Sequence, residues 1–187
     1  MEDKILFFSA FIKYPKEIGS VVPSSKFLTD EILRNIEFKK ARYIVEYGPG
    51  TGRITKEILK RARKDAKLLC FEINKKFCSY LRRKIKDKRV TIINDSAENV
   101  KKYLKKFKIK KTDYVVSGLP FTNLKIDKKY QIIKETKNTL KTNGKFLVFQ
   151  FFLNNFKKYL HYYFSDISIK FVPLNIPPCF VYVCEKQ

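Results

Sequence analysis

From residue 41 onward the apolar positions follow two alternating periods. Short unbroken apolar runs, such as Tyr43-Ile44-Val45 and Leu68-Leu69-Cys70-Phe71, are separated by lysine-rich segments in which apolar residues recur every three or four positions. Unbroken runs fit strands covered on both faces, and the longer period fits amphipathic helices. The pattern predicts strands at 41–47, 67–73, 89–94, 112–117, 145–152, 166–173 and 178–185. Helices are predicted at 53–64, 74–86, 96–107, 128–142 and 154–164. Strand and helix in regular alternation imply an α/β protein with a mainly parallel sheet. The last two strands leave no room for a helix between them, so they are expected to pair antiparallel at one edge.

The first forty residues read differently. Ile5, Leu6, Phe7, Phe8, Phe11 and Ile12 give residues 1–14 a wide apolar face edged by Lys4 and Lys13. Such a helix either packs on its own domain or lies in a membrane interface. Residues 15–25, with two prolines, a glycine and a serine pair, read as an ordered loop. Ser24 or Ser25 is placed to cap a helix from Lys26 to about Ile36.

Composition adds charge to this picture. The 187 residues carry 41 Lys and Arg against 18 Asp and Glu, a net charge of +23, with 44% hydrophobic content. That content excludes a disordered chain, and the field attracts polyanions: nucleic acid or an anionic membrane face. Cys70, Cys78, Cys179 and Cys184 form no C-x-x-C pair, and one histidine makes no zinc set, so no metal site is expected. They read as small buried residues in a reducing, cytoplasmic setting. No apolar stretch approaches the roughly 20 residues that span a bilayer, and no secretory signal opens the chain.

Candidate chemistry clusters at strand ends. Strand Tyr43–Tyr47 runs into Glu46-Tyr47-Gly48-Pro49-Gly50-Thr51-Gly52, and a helix follows. Glycines at every second position suit a tight turn and a close backbone approach to a nucleotide-like ligand. Glu72 ends the next strand, twenty residues beyond Gly52, the separation at which an acid meets ribose hydroxyls. Asn94-Asp95-Ser96-Ala97 follows the third strand; Asp95 suits an adenine amine, and a helix N-cap by Asp95 or Ser96 is an equal alternative. Ser117-Gly118-Leu119-Pro120-Phe121 follows the fourth, where loop carbonyls could face a substrate with Phe121 as an apolar wall. A G-x-G-x-x-G dinucleotide fingerprint fails, because its third glycine falls on Arg53 or Thr55, and no Gly-Lys-Ser/Thr of a P-loop follows.

Together these four stations resemble the ordered motifs of class I S-adenosylmethionine-dependent methyltransferases across residues 41–185. The resemblance implies a Rossmann-like fold: a seven-stranded, mostly parallel sheet with a C-terminal antiparallel hairpin and N-terminal helices. It implies one domain over 1–187, with 1–14 an amphipathic helix, 15–40 a cofactor-covering loop and helix, and 41–187 the α/β core. The implied S-adenosylmethionine site comprises Glu46, Tyr47, Gly48, Gly50, Thr51, Gly52, Glu72, Ile73, Asp95, Ser96, Ala97 and Ser117. In it the glycine loop lies beside the amino-acid moiety, Glu72 at the ribose and Asp95 at the adenine.

Two subfamilies are similar. The glycine loop and Asn94–Ala97 resemble ribosomal RNA adenine dimethyltransferases, whose catalytic loop reads Asn-Leu-Pro-Tyr or Asn-Ile-Pro-Tyr. Aligned on Leu119-Pro120, that asparagine becomes Gly118, and the helical C-terminal RNA-binding domain has no counterpart. Small phospholipid N-methyltransferases acting on phosphatidylethanolamine are similar further upstream, through Phe11–Ser25, and in Ser117-Gly118-Leu119-Pro120. This resemblance implies a peripheral membrane enzyme that methylates a head-group amine, with residues 1–14 on the anionic surface. Its catalytic residues would be Ser117, Gly118, Leu119, Pro120 and Tyr14, with the Tyr14 or Tyr47 hydroxyl near the amine. RNA N-methylation, with Phe121 stacking on a base, is the alternative acceptor class, and a non-catalytic membrane-binding module is the third. Neither a general base nor an oligomeric state is indicated.

Overall fold

The computed structural model describes residues 25–151 and 156–187. The expected helix over 1–14, the loop over 15–24 and Tyr14 lie outside the described residues. Helix α1 (Lys26–Leu33) opens on Ser25, whose Oγ accepts from the Leu28 N–H at 3.1 Å. It then buries Leu28, Ile32 and Leu33. Strand β1 (Tyr43–Tyr47) leads through the glycine turn into α2 (Arg53–Arg61), and β2 (Lys67–Phe71) leads into α3 (Lys75–Lys84). Asn74 caps α3, its side chain accepting from the Lys76 N–H at 2.9 Å. Lys60 and Arg61 close α2, and Arg82, Arg83 and Lys84 close α3, where cations meet the negative helix end.

Strand β3 (Val90–Ile93) is followed by a 3-10 turn at Ala97–Asn99 and α4 (Val100–Lys106). Then come β4 (Thr112–Ser117), a second 3-10 turn at Phe121–Asn123, and α5 (Ile126–Thr139). The chain closes with β5 (Leu140–Gln150), α6 (Phe156–His161), β6 (Asp166–Val172) and β7 (Cys179–Glu185). The seven strands lie in the order β3-β2-β1-β4-β5-β7-β6. The first five are parallel, and β7 runs antiparallel to both β5 and β6. The expected terminal hairpin is therefore present, with β7 inserted beside β5 and β6 at the edge.

Each sheet face carries its own core. Val45, Tyr47, Phe71, Val115, Phe146 and Tyr182 pack with α4, α5 and α6 on one side. Ile44, Leu68, Cys70, Val116, Leu147 and Val181 pack with α1 and α2 on the other. All four cysteines are buried. Most boundaries moved by a few residues, and one by five: α5 ends at Thr139 and β5 starts at Leu140, not 145. A register shift opens between Thr112 and Tyr114, where Asn143 takes φ 61° and a Cβ on Gly144 would stand 2.9 Å from the Lys141 carbonyl oxygen. Such an irregularity depends on the facing strand, so helical periodicity alone overran it. No described helix is long and apolar enough to cross a membrane.

Candidate functional site

The four stations meet at the carboxyl ends of β1, β2, β3 and β4, because parallel strands deliver all their following loops to one edge. The Gly48 N–H donates to the Phe71 carbonyl at 2.9 Å, and the Gly118 N–H to the Tyr47 carbonyl at 2.8 Å. These bonds tie the glycine loop to β2 and the Ser117–Phe121 loop to β1, one step beyond the sheet. Gly48, Gly50 and Gly52 all have positive φ, at 67°, 55° and 78°. Space as well as conformation demands glycine at Gly52: a Cβ there would stand 2.6 Å from Leu81 Cδ2, where α3 packs on the start of α2. At Gly118 a Cβ would stand 3.0 Å from the Gly48 carbonyl oxygen and 3.5 Å from the Phe149 ring. The two loops thus approach backbone to backbone, and Gly118 leaves little room for a side chain.

Glu72 is buried at the rim and already oriented. Its Oε2 accepts from the Gly50 N–H at 3.2 Å and its Oε1 from the Asn74 N–H at 2.9 Å. The Asn94 amide donates to the Glu72 and Ile73 carbonyls, fixing the bend after β2. Beside it, Ile73 is half exposed. Asp95 accepts from the Ser96 N–H at 2.7 Å, the Asn99 amide at 2.8 Å and the Tyr103 hydroxyl at 2.9 Å. Those donors, the Asn99 amide foremost, hold its carboxyl below the usual range. Asp95 therefore has the turn-capping role, while Ser96 makes no side-chain cap and Ala97 points into the core.

Glu46 lies beneath the glycine loop, only 2% exposed. The Thr55 hydroxyl donates to its Oε2 at 2.7 Å, with the Cys70 thiol at 3.5 Å. Burial raises its carboxyl from an ordinary 4.5 to about 7. Thr51 is buried in the same loop.

Two expectations need correction. The Tyr47 ring is fully buried against Phe71 in an edge contact at 5.8 Å, and its hydroxyl receives the Thr136 hydroxyl at 3.4 Å. Strand alternation sends it into the α5 side of the core, so its hydroxyl cannot neighbour an acceptor amine; the residue meets the site through its backbone. Phe121 is likewise fully buried, tilted on Phe156 at 4.9 Å. It anchors the substrate loop in the core and offers no face to a ligand.

Ser117 is buried, its Oγ accepting from the Leu119 N–H at 3.3 Å. Sequence inspection missed Gln150, whose buried amide donates to the Leu119 carbonyl at 2.9 Å. A lone polar residue interrupting the apolar run Phe146–Leu153 was its only signal. Thr55 was missed too, although a threonine between Ile54 and Ile58 on an apolar helix face marked it.

The profile of the ribosomal RNA adenine dimethylase family matches residues 16–154. An ornithine lipid N-methyltransferase of Singulisphaera acidiphila is 29% identical over 99% of this chain and 97% of its own length. A ribosomal RNA small subunit methyltransferase A of Mycoplasmopsis synoviae is 34% identical over 57% of this chain, which spans only 38% of that protein. In fold, the chain is similar to the N-methyltransferase NodS of Bradyrhizobium japonicum in complex with S-adenosyl-L-homocysteine. There the TM-score is 0.74 at 9% identity, covering 97% of this chain and 99% of that one.

The residues present fit S-adenosylmethionine. A ribose diol brings donors, and Glu72 is an acceptor-only group held at the rim by two backbone N–H groups. The positive-φ glycines keep Cβ atoms out of the cradle between the two loops.

Proposed function

The chain belongs to the ribosomal RNA adenine dimethylase family and is an S-adenosylmethionine-dependent methyltransferase, and from that premise we propose that its acceptor is the head-group amine of a membrane lipid. The supporting observation is coverage: similarity to the ornithine lipid N-methyltransferase runs end to end, whereas the matched RNA methyltransferase is spanned over 38% of its length. The crowding at Gly118 supports the same acceptor, since the asparagine that RNA dimethyltransferases present would meet the Gly48 carbonyl. Phosphatidylethanolamine and ornithine lipid both carry a suitable amine.

S-adenosylmethionine supplies an electrophilic methyl on a sulfonium: its S–C bond breaks as the N–C bond forms, and the thioether leaves. An aminolipid loses one proton to solvent in becoming nucleophilic. The chain's own part is alignment and water exclusion. Glu72 holds the ribose, with Ile73 and Asp95 toward the adenine and Glu46 beneath the amino-acid moiety. The carbonyls of Ser117–Pro120 orient the amine. The enzyme would act peripherally, from the cytoplasmic side of an anionic membrane surface.

RNA remains the second acceptor class because the family profile and the charge of +23 favour it; burial of Phe121 counts against base stacking. Labelled S-adenosylmethionine is to be incubated with vesicles of phosphatidylethanolamine, vesicles of ornithine lipid, and total RNA. Label in either lipid is expected, and label in RNA alone would overturn the lipid acceptor.

A further inference from the structure

We propose that the sheet edge bearing the cofactor and substrate loops is a docking face for an anionic lipid bilayer, with the β6–β7 turn as its apolar tip. This deepens the lipid-acceptor function and rests on it. Leu174 is 60% and Ile176 77% exposed, while Asn175 between them is 3% exposed. The Asn175 side chain accepts from the Ser25 N–H at 3.0 Å and donates to the Pro177 carbonyl at 2.7 Å. The turn is thus pinned from inside, with both aliphatic neighbours held outward.

Topology decides where the tip points. Because β5 and β6 both run antiparallel to β7, β6 is parallel to β5 and ends at the same edge as β1, β2 and β4. Leu174 and Ile176 therefore project from the edge that carries Ser117–Phe121. Phe27, 54% exposed, stands two residues from the Ser25 anchor, and Ile126, 57% exposed, opens α5 directly after the substrate loop. Four exposed large hydrophobics gathered at one edge mark an interaction surface.

Charge identifies the partner. Lys125 adjoins Ile126, which Asp127 follows, and Lys26 beside Phe27 pairs with Asp30 at 2.8 Å; Lys170 lies near the end of β6, and no carboxylate occurs from Ile167 to Cys184. An aliphatic turn in an acid-free segment of a chain with net charge +23 suits insertion among anionic head groups. Single-stranded RNA would instead call for a row of aromatic faces on which successive bases stack; the protruding tip, Leu174 and Ile176, is aliphatic, with Phe27 and Phe171 set behind it in sequence. Docked this way, the substrate loop faces the head-group layer where an acceptor amine resides.

The chain has no tryptophan, so Ile176→Trp in the full-length protein installs a single reporter. Vesicles of phosphatidylglycerol with phosphatidylethanolamine are expected to shift its emission to the blue. The double variant Leu174→Glu/Ile176→Glu, with an unchanged melting temperature, is expected to lose about tenfold in vesicle flotation. Its turnover of monomeric dihexanoyl phosphatidylethanolamine should stay at the wild-type rate. Emission unmoved by vesicles, or already blue without them because the chain or a second copy covers the tip, would overturn the proposal. So would flotation of the double variant at the wild-type level. If wild-type protein methylates no lipid yet flotation still needs the tip, the acceptor assignment fails while the docking face stands.

Discussion

The β1–β2 half of the site and the β4–β5 half use opposite parts of the peptide. In the first half the groups offered to a ligand are side-chain carboxylates, steadied by backbone: Glu72 by the Gly50 and Asn74 N–H groups. In the second half they are backbone carbonyls, steadied by a side chain: the Leu119 carbonyl by the Gln150 amide. A charged acceptor binds one definite donor set strongly. Carbonyls on a loop instead set a shape and a weak field, which suits a site that must align an amine without trapping it. In the proposed division of the site, the β1–β2 half supplies affinity and the β4–β5 half position.

Removing Glu72 is the strongest way to break this division. In Glu72→Ala, ribose loses its acceptor and two loop N–H groups lose theirs. Affinity for S-adenosylhomocysteine is expected to fall about 100-fold, or ~3 kcal/mol, by isothermal titration calorimetry. Glu72→Gln separates charge from bracing, since one amide oxygen still accepts. A loss of about tenfold in Glu72→Gln fits the charged diol clamp. Full recovery would make Glu72 a loop brace.

The next effect lies under the glycine loop and needs no ligand. Unfolded, Glu46 releases its proton near 4.5; folded, burial keeps it on to about 7. Between those values the folded state binds more protons, so stability falls as pH rises from about 4.5 to 7 and stays lower above it, by on the order of 3 kcal/mol. Glu46→Gln retains an acceptor for the Thr55 hydroxyl and carries no titrating charge. Denaturant unfolding at pH 5 and pH 8 should show this decline in the wild type and its absence in the variant. An equal decline in both would assign it to other groups.

The same contrast explains what could be read from sequence. Glu46, Gly48, Gly50, Gly52 and Glu72 were legible because their chemistry resides in residue type and spacing. So were the alternation of strands and helices and the antiparallel terminal pair, because apolar runs and amphipathic segments each specify how they are covered. Asp95's three donors were half legible: a cap was foreseen, but the Asn99 amide and Tyr103 hydroxyl depend on how a 3-10 turn and α4 follow it. Tyr47 and Phe121 were misjudged because an aromatic near a motif looks available until strand alternation and loop packing choose its side. Carbonyls leave no mark in sequence at all. Every residue has one, and only the fold says which are aimed at a ligand.

Gln150 sharpens the comparison at its smallest scale. Its amide is buried at the end of β5 and reaches across to the loop after β4, the neighbouring parallel strand. Gln150→Leu conserves bulk and core packing but leaves the Leu119 carbonyl held by the Phe121 N–H alone, allowing the Ser117–Pro120 turn to drift by a fraction of an ångström. Since the Gly118 N–H still holds Tyr47 and Glu72 is untouched, cofactor affinity should remain at the wild-type value. The expected change is in kcat, lower by about tenfold or ~1.4 kcal/mol, with little movement in cofactor KM. Gln150→Glu offers no donor to the carbonyl in its ionised form, so it should lose at least as much. If cofactor affinity dropped in step with kcat in both variants, the two halves would be one cooperative unit, and alignment of the acceptor could not be assigned to the β4–β5 half alone.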